Sequence, residues 1–313
     1  MTKIHLETFG EGKPIVLVHG WAMHTGIWRE FAKQLADNYQ VTCIDLPGHG
    51  RSKKIDPFTL ERISAELVNI IPPSPPFSKG GNENASCRIG GNEQVFCPIE
   101  GNEQSVSFFK GGSEQSPPFE KGGPGGICWL GWSLGATVVL DIASRYPERV
   151  SALILLAGNP SFTSSDSKMQ KWPGMEVRLL DDFAEQLNKN CQVTLLRFLS
   201  LQVNGLPDHK NLLKALKTAV FECDAPDQNT LQGGLDILKH ADLRPVLSEL
   251  KIPVSVILGG LDTLVPVAIG QNMQQLLPSL ELNIIDRAGH VPFLSHNKET
   301  LAIISRFMDQ QCN

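Results

Sequence analysis

The sequence predicts an α/β fold in which a mostly parallel sheet is covered by helices on both faces. Short apolar runs rich in β-branched residues alternate with helical apolar patterns along most of the chain. One of these runs ends in a Gly-x-Ser-x-Gly pentapeptide, Gly131 to Gly135, that leads directly into a helical pattern. The alternation is interrupted twice, by a low-complexity insertion and by a long helical segment, which we predict to be a cap.

Composition limits the classes of function that need consideration. The chain has 313 residues, 41% of them hydrophobic, which is enough for one large core with an accessory segment. A formal net charge of −5 argues against a nucleic-acid-binding surface. No apolar run approaches the roughly 20 residues of a transmembrane helix, and no signal-peptide pattern is visible. Seven cysteines lack disulfide or metal-ligand spacing, so together with the missing export signal they favour reduced thiols in a cytoplasm. We also expect a monomer that uses no metal and no cofactor.

The first part of the core is predicted to span residues 1–71. Residues 3–9 alternate roughly between apolar and polar, which is typical of an antiparallel edge strand. The apolar runs 14–18 and 41–45 predict buried strands, and residues 27–36 and 60–71 carry the apolar stripe of amphipathic helices.

Residues 72–126 form the predicted insertion. Pro75-Pro-Phe-Ser-Lys-Gly-Gly81 recurs as Pro117-Pro-Phe-Glu-Lys-Gly-Gly123, and Gly-Asn-Glu occurs three times at irregular spacing. So few apolar residues cannot offset the entropy lost on ordering the backbone, so we expect disorder. A tolerated insertion fits this composition better than a docking or regulatory arm.

The second part of the core is predicted at 127–158 and contains the pentapeptide. Residues 127–130 predict a buried strand, residues 134–146 a helix and residues 150–157 a further strand. A sharp strand-to-helix turn at this pentapeptide would expose the hydroxyl of Ser133 above the sheet. We expect glycine at 131 and 135 because a Cβ there would crowd the turn.

Residues 159–243 differ in kind and predict the helical cap. Helical patterns cover 177–188, 191–201, 211–221 and 230–238, with almost no strand signal. The core resumes over 244–313, where we predict strands at 253–258 and 280–285 and helices at 267–277 and 297–308.

Two later loops supply the groups that a serine nucleophile needs. Asp262 follows the predicted strand 253–258, and His290 follows the strand 280–285. In a parallel sheet both loops leave at the edge that carries Ser133. We therefore predict His290 as general base and then acid, with Asp262 as its orienting carboxylate. Taken alone, Asp262 could instead begin an Asx-turn and His290 could be a loop histidine bonded to backbone. A zinc site at His19, His49 and His290 lacks ligand spacing.

Two backbone N–H groups are candidates for binding the oxyanion of a tetrahedral intermediate. One belongs to Leu134, the residue after the nucleophile, and the other to Trp21, in the loop after the first buried strand. Gly20 would allow this loop to approach the serine closely.

These residues and their order, Ser…Asp…His, resemble the α/β-hydrolase superfamily everywhere except in the insertion. Several stretches are similar to the pimeloyl-[acyl-carrier protein] methyl ester carboxylesterases of biotin synthesis. They include His19-Gly-Trp21, Trp129-Leu-Gly-Trp-Ser-Leu-Gly135, Lys171-Trp-Pro-Gly174, Arg197-Phe-Leu199, Gly233-Gly-Leu-Asp-Ile-Leu-Lys239 and Gly289-His-Val-Pro-Phe-Leu-Ser-His296. The cap stretches support the narrower resemblance, since caps vary most among these hydrolases.

The resemblance implies a substrate and a partner, a pimeloyl methyl ester carried on acyl carrier protein. It implies substrate contacts at Trp21, Leu134, Lys171, Arg197 and Phe198, with Arg197 at a position that faces the carrier. Val193 stands where this family can carry a second arginine. A generalist short-chain carboxylesterase, a carbon–carbon bond hydrolase and a haloperoxidase stay open, because a fold does not fix a reaction. A binding protein without activity fits the intact Ser-Asp-His set poorly.

Overall fold

The computed structural model describes residues 3–71, 126–167 and 170–310, in which strands and helices alternate as predicted. The strands are β1 (Leu6–Phe9), β2 (Lys13–Val18), β3 (Tyr39–Ile44), β4 (Ile127–Trp132), β5 (Val150–Leu156), β6 (Ser165–Ser167), β7 (Gln170–Trp172), β8 (Val254–Gly259) and β9 (Glu281–Ile285). The helices are α1 (Arg29–Leu35), α2 (Leu60–Ile70), α3 (Leu134–Arg145), α4 (Val177–Lys189), α5 (Cys191–Gln202), α6 (His209–Val220), α7 (Gln228–His240), α8 (Arg244–Glu249), α9 (Ile269–Leu276), α10 (Pro292–Ser295) and α11 (Asn297–Gln310).

Seven of the strands form one sheet in the order β1-β3-β2-β4-β5-β8-β9. β1 is antiparallel to β3, and every other neighbouring pair is parallel, so the predicted edge strand and the mostly parallel sheet are both confirmed. β4 and β8 are buried along their whole length, which explains why their sequences are continuous apolar runs. The carboxyl ends of β2, β4, β5, β8 and β9 consequently meet at one edge of the sheet.

Helices cover both faces of this sheet. Alternate residues of β2 belong to two separate apolar clusters, Val16 and Val18 to one, Ile15 and Leu17 to the other. The first cluster includes apolar residues of α2, α3, α7 and α9, and the second those of α1 and α11. None of the helices in the described ranges is both long and apolar enough to span a membrane.

Four helices, α4 to α7, lie in the segment 159–243 and are called the cap helices below. Two side chains of the connection between α6 and α7 form ion pairs with the first part of the chain, Glu222 with Arg29 and Asp227 with Lys54. The expectation of almost no strand in this segment needs a correction, because β6 and β7 form a short antiparallel hairpin. Its polar sequence carries no apolar alternation, and the buried Trp172, whose indole donates to the Ser161 carbonyl, anchors it.

One predicted helix is also divided. The pattern at 27–36 becomes a short 3-10 turn at Thr25–Ile27 followed by α1, which begins at Arg29. The His24 side chain accepts a hydrogen bond from the Gly26 N–H and so caps the turn. Helical periodicity alone does not reveal such a local cap.

Nearly all of the predicted insertion, residues 72–125, lies outside the described residues, so its predicted disorder stays a prediction. The residues on either side of it both lie beside Arg149 and Val150. Arg149 donates from its guanidinium to the carbonyls of Val68 and Ile71, at the end of α2. Ile127 pairs with Val150 at the start of β4. The chain therefore leaves and re-enters the core at neighbouring points.

Candidate active site

Ser133 occupies the turn between β4 and α3. Its φ of 55° and ψ of −118° are strained for a residue with a side chain, and its N–H donates to the Leu156 carbonyl at 3.1 Å. A Cβ on Gly131 would collide with the backbone of Gly135, and one on Gly135 with the carbonyl of Val18. The structure thus confirms why glycine is needed on both sides of this serine.

Asp262 and His290 lie beside Ser133, at the ends of β8 and β9. His290 Nε2 is 2.9 Å from Ser133 Oγ, and His290 Nδ1 is 2.8 Å from Asp262 Oδ2. Since an ionised carboxylate can only accept, Nδ1 carries the proton and Nε2 offers its lone pair to the serine hydroxyl. His290 is 1% exposed, so its imidazole is largely shielded from bulk solvent.

The other oxygen of Asp262 shapes the loop. Asp262 Oδ1 accepts hydrogen bonds from the N–H groups of Leu264 at 2.8 Å and Val265 at 3.0 Å. Asp262 is therefore an Asx-turn residue as well as the partner of His290, so the two interpretations of its sequence position do not compete.

The loop after β2 brings Gly20 next to Ser133. A Cβ on Gly20 would lie 3.2 Å from Ser133 Cβ, so only glycine gives this approach without a shift. The N–H groups of Trp21 and Leu134 donate to no acceptor in the described part of the chain. Leu134 thus follows the serine in sequence, and Trp21 follows the glycine that approaches the serine in space. Neither N–H is bonded to another described residue, so both can donate to an oxyanion.

His19 fixes the peptide that carries the Trp21 N–H. Its Nδ1 donates to the Gly20 carbonyl at 2.8 Å, and its Nε2 accepts from the Leu46 N–H at 2.9 Å. The Gly20 carbonyl and the Trp21 N–H belong to one trans peptide group and point in opposite directions. Burial lowers the pKa of His19 to about 3, so the ring stays neutral and keeps this tautomer. Because both ring nitrogens are engaged, His19 does not contribute to a zinc site with His49 and His290, and no metal-binding cluster occurs within the described ranges.

Backbone strain is concentrated around this edge of the sheet. In the described residues, positive φ outside glycine occurs at Ala22, Ser133 and Ala157, with values of 60°, 55° and 43°. They follow β2, β4 and β5, which are neighbours in the sheet. Strain of this kind persists where the surrounding structure holds the backbone in a functional geometry.

Aromatic rings of the cap helices surround the Trp21 side chain. Phe198 of α5 and Phe183 of α4 pack edge-on against the indole, with centroids 5.0 Å and 5.6 Å away. The Trp21 Nε1–H donates to the Leu231 carbonyl of α7 at 2.9 Å. The structure therefore packs Trp21 and Phe198 against each other. Because the Trp21 indole N–H is bonded to Leu231, the backbone N–H of Trp21 is the donor left for a substrate oxygen.

Arg197 lies apart from these rings, on the outer surface of α5. It lines a surface groove of about 400 Å³ together with Val193, Leu196, Ser200, Leu201 and Lys217. Arg197 and Lys217 form no ion pair with any described residue. Lys171 is in β7 and does not line this groove, so the structure does not unite the two predicted cations.

Sequence reasoning did not identify three residues that contact the site. Trp132 donates from its indole to the His290 carbonyl, the Gln202 carbonyl accepts from the His290 N–H, and Phe183 packs on Trp21. A tryptophan inside the pentapeptide is a visible signal for the first. Gln202 and Phe183 make contacts between distant parts of the chain, which no local sequence pattern predicts.

Comparisons with known proteins agree with this geometry. A sequence model described as alpha/beta hydrolase family matches residues 15–303. A pimeloyl-[acyl-carrier protein] methyl ester esterase of Methylococcus capsulatus is 34% identical over 305 residues, covering 97% of this chain and 98% of that protein. The protein of the same name from Klebsiella pneumoniae is 33% identical over 297 residues, covering 95% and 94%.

Solved structures are similar in fold at lower identity. An esterase from Exiguobacterium antarcticum superposes with a TM-score of 0.74 at 19% identity, covering 98% of this chain and 96% of that chain. A bromoperoxidase from Bacillus anthracis gives a TM-score of 0.74 at 16% identity over the same shares. The sheet and the comparisons together lead to one conclusion: the chain belongs to the alpha/beta hydrolase family, and within it to the group of the pimeloyl-[acyl-carrier protein] methyl ester esterases.

Proposed function

We propose that this chain is a serine esterase that hydrolyses the methyl ester of pimeloyl-[acyl-carrier protein], giving pimeloyl-[acyl-carrier protein] and methanol. The chemistry is supported by the hydrogen-bonded line from Ser133 through His290 to Asp262. The substrate is supported by relatives of that name that are 33–34% identical over nearly the whole chain. Action as a monomer in the cytoplasm is part of the proposal and rests on the sequence alone.

Acylation begins at Ser133. His290 Nε2 takes the hydroxyl proton while Oγ attacks the ester carbonyl carbon, and the carbonyl oxygen becomes an oxyanion. The N–H groups of Trp21 and Leu134 bind this oxyanion. His290 then donates the proton to the methoxy oxygen, methanol leaves, and the pimeloyl group stays as an ester of Ser133. Asp262 stabilises the imidazolium that forms between these two transfers.

Deacylation repeats the same two proton transfers with water as the nucleophile. His290 removes a proton from water, and the hydroxide attacks the acyl carbon to give a second oxyanion in the same place. Collapse returns the proton to Ser133 Oγ and releases the free carboxylate, still attached to the carrier. Both halves of the reaction use the same side chains and N–H groups.

We further infer that the α5–α6 groove binds the carrier. Arg197 and Lys217 offer two cations there, next to the apolar side chains of Val193 and Leu201. A carrier presents its acyl group through a phosphate-containing linker. Cations that form no ion pair with any described residue, next to exposed apolar side chains, suit a phosphodiester followed by an alkyl chain. Within this proposal, the division into core, cap and insertion assigns carrier recognition to the cap helices and chemistry to the core.

Growth without biotin tests the whole function. We expect the wild-type gene to restore growth of a bacterial host that lacks its own esterase, and the Ser133→Ala gene not to restore it. In vitro, Ser133→Ala should lose at least about 10³-fold in kcat on both the carrier-bound methyl ester and p-nitrophenyl esters. Activity on p-nitrophenyl esters without restored growth would refute the substrate and leave the serine esterase intact. A folded Ser133→Ala protein that retains activity would refute the mechanism.

Charge reversal tests carrier binding separately. We expect Arg197→Glu to raise KM for the carrier-bound ester by roughly tenfold and to leave p-nitrophenyl ester hydrolysis within about twofold. Arg178→Glu is the matched control, because Arg178 is an exposed arginine of α4 outside the groove. Equal effects of the two substitutions, or equal effects on both substrates, would contradict a carrier site at Arg197.

A further inference from the structure

The main chain of His290 is held from two sides. The Gln202 carbonyl, at the end of α5, accepts a hydrogen bond from the His290 N–H at 3.2 Å. On the other side, the Trp132 indole N–H donates to the His290 carbonyl at 2.8 Å. Trp132 directly precedes Ser133, so the segment that presents the nucleophile also holds the backbone of the base.

The Trp132 indole has little freedom to turn. It is 1% exposed and packs edge-on against Phe293 and Trp28, with centroids 5.1 Å and 6.0 Å away. Phe293 lies in α10, directly after the His290 loop. The ring is therefore packed against the very segment whose carbonyl it binds, and the direction of its N–H is fixed.

Position matters at His290 because its ring must satisfy two partners at once. The ring nitrogens lie 2.9 Å and 2.8 Å from Ser133 Oγ and Asp262 Oδ2. A displacement of about 1 Å at a reacting group can cost roughly 10²-fold in rate. Holding the His290 carbonyl fixes the Cα from which the imidazole projects.

We propose that Trp132 is a positioning residue for the hydrolysis: its indole N–H holds the His290 carbonyl and keeps the imidazole in line between Ser133 and Asp262. The proposal rests on the Ser133 mechanism above and adds a residue to it. The Trp132 indole also lies 5.8 Å from the His290 imidazole between centroids, and its ring edge lies beside Gly20, so we assign it a positioning role and no part in bond making or proton transfer.

Trp28 allows a purely structural role to be measured separately. It belongs to the same aromatic cluster, is fully buried, and lies 4.4 Å from Phe293 between centroids. Its indole Nε1 has no hydrogen-bond partner among the residues described. Trp28→Phe therefore removes the same atoms from the same cluster without removing a hydrogen bond.

The test compares Trp132→Phe with Trp28→Phe, with active protein counted by titration with a fluorophosphonate. We expect Trp132→Phe to lower kcat on a p-nitrophenyl ester by roughly 10- to 100-fold, with KM within about twofold. The low-field proton resonance of His290 Nδ1–H should broaden or disappear. Trp28→Phe should keep kcat within about threefold and retain that resonance.

Equal losses of kcat in the two variants, or an unchanged kcat in Trp132→Phe, would overturn the positioning role. If Trp132→Phe fails to fold, 3-benzothienylalanine introduced at position 132 keeps a bicyclic ring and replaces the N–H by sulfur. An unchanged kcat in this variant, or a loss no larger than that of Trp28→Phe, would then overturn the positioning role. Failure of the mechanism itself is recognised separately, because Ser133→Ala would then remain active.

Discussion

Asp262 divides its two carboxylate oxygens between His290 and the loop that carries Asp262 itself. Oδ2 is 2.8 Å from His290 Nδ1, whereas Oδ1 accepts the N–H groups of Leu264 and Val265. Asp262 therefore orients the base with one oxygen and, with the other, closes the turn in which Asp262 itself lies. Two substitutions can separate these two roles.

Asp262→Asn should lose activity and keep the fold. The amide oxygen can still accept from Leu264 and Val265, but the amide N–H₂ would face His290 Nδ1 and force the tautomer that cannot take the serine proton. We expect kcat to fall by roughly 10²- to 10⁴-fold.

Asp262→Ala removes both tasks. In addition to the loss of kcat, it should lower the free energy of unfolding by about 1–3 kcal/mol relative to Asp262→Asn, because two buried N–H groups lose their acceptor. Steady-state kinetics and urea unfolding check the pair. Equal stability of the two variants would contradict the turn-closing role of Oδ1.

Acid should destabilise the protein through two buried histidines. Burial is the main cause that lowers the pKa of both His19 and His49 from 6.5 to about 3. Between these values the unfolded chain binds protons that the folded chain does not. Their contribution to the free energy of unfolding therefore falls as pH falls from 6.5 towards 3, and it is constant above that window.

His49→Gln should reduce this acid sensitivity by about 2 kcal/mol at pH 5. Urea unfolding at pH 7.5 and pH 5 measures the change in the free energy of unfolding between the two pH values. His240→Gln is the control, because this histidine lies exposed at the end of α7. The free energy of unfolding of this variant should change between the two pH values as that of the wild type does. An equal pH dependence in His49→Gln and wild type would contradict the prediction.

Gly20→Ala should lower activity more than stability. The new methyl group would lie 3.2 Å from both Ser133 Cβ and the Trp132 ring, so the Gly20 loop and its Trp21 N–H must shift by a few tenths of an ångström. We expect kcat/KM to fall roughly tenfold. Gly205→Ala is the contrasting variant, because a Cβ added at Gly205 would meet no atom within 4 Å, whereas the φ of Gly205 is +77°. It should lose about 1 kcal/mol of stability and keep its activity.

Residues 74–124 should be removable. The described residues that flank the insertion, Ile71 and Ile127, lie beside Arg149 and Val150, so a short Gly-Ser linker can join the two sides without moving α2 or β4. We expect kcat/KM and the urea midpoint to stay close to those of the full chain. A variant with the insertion's sequence scrambled serves as control. If the deletion abolished folding while the scrambled chain folded, the insertion would have a structural task.

Features predicted correctly are those that short stretches of sequence encode. Continuous apolar runs predicted the parallel strands because both faces of the sheet are covered. Glycine at 131 and 135 predicted the sharp turn because a Cβ has no room there. The placement of Asp262 and His290 directly after strands predicted that they meet Ser133, since parallel strands share an edge.

Features that were missed depend on contacts between distant residues. The bond between Trp132 and His290 joins residues 158 positions apart. The hairpin β6–β7 consists of polar residues, and its anchor Trp172 reaches back to Ser161. Strain at Ala22 and Ala157 leaves no mark in the sequence, because alanine has no special preference for positive φ. The roles of the site residues stay predictions until the kinetics above are measured.

The hydrogen bond from the His290 N–H to the Gln202 carbonyl has a consequence for protein engineering. Exchanging caps between hydrolases is attractive as a way to change specificity, because the chemistry is assigned to the core. Here the last residue of α5 supplies the acceptor for the main chain of the base. A chimera that ends this helix one residue earlier would withdraw that carbonyl, and turnover would suffer even on the smallest ester. A transplanted cap must therefore be joined with the end of its second helix in register with His290.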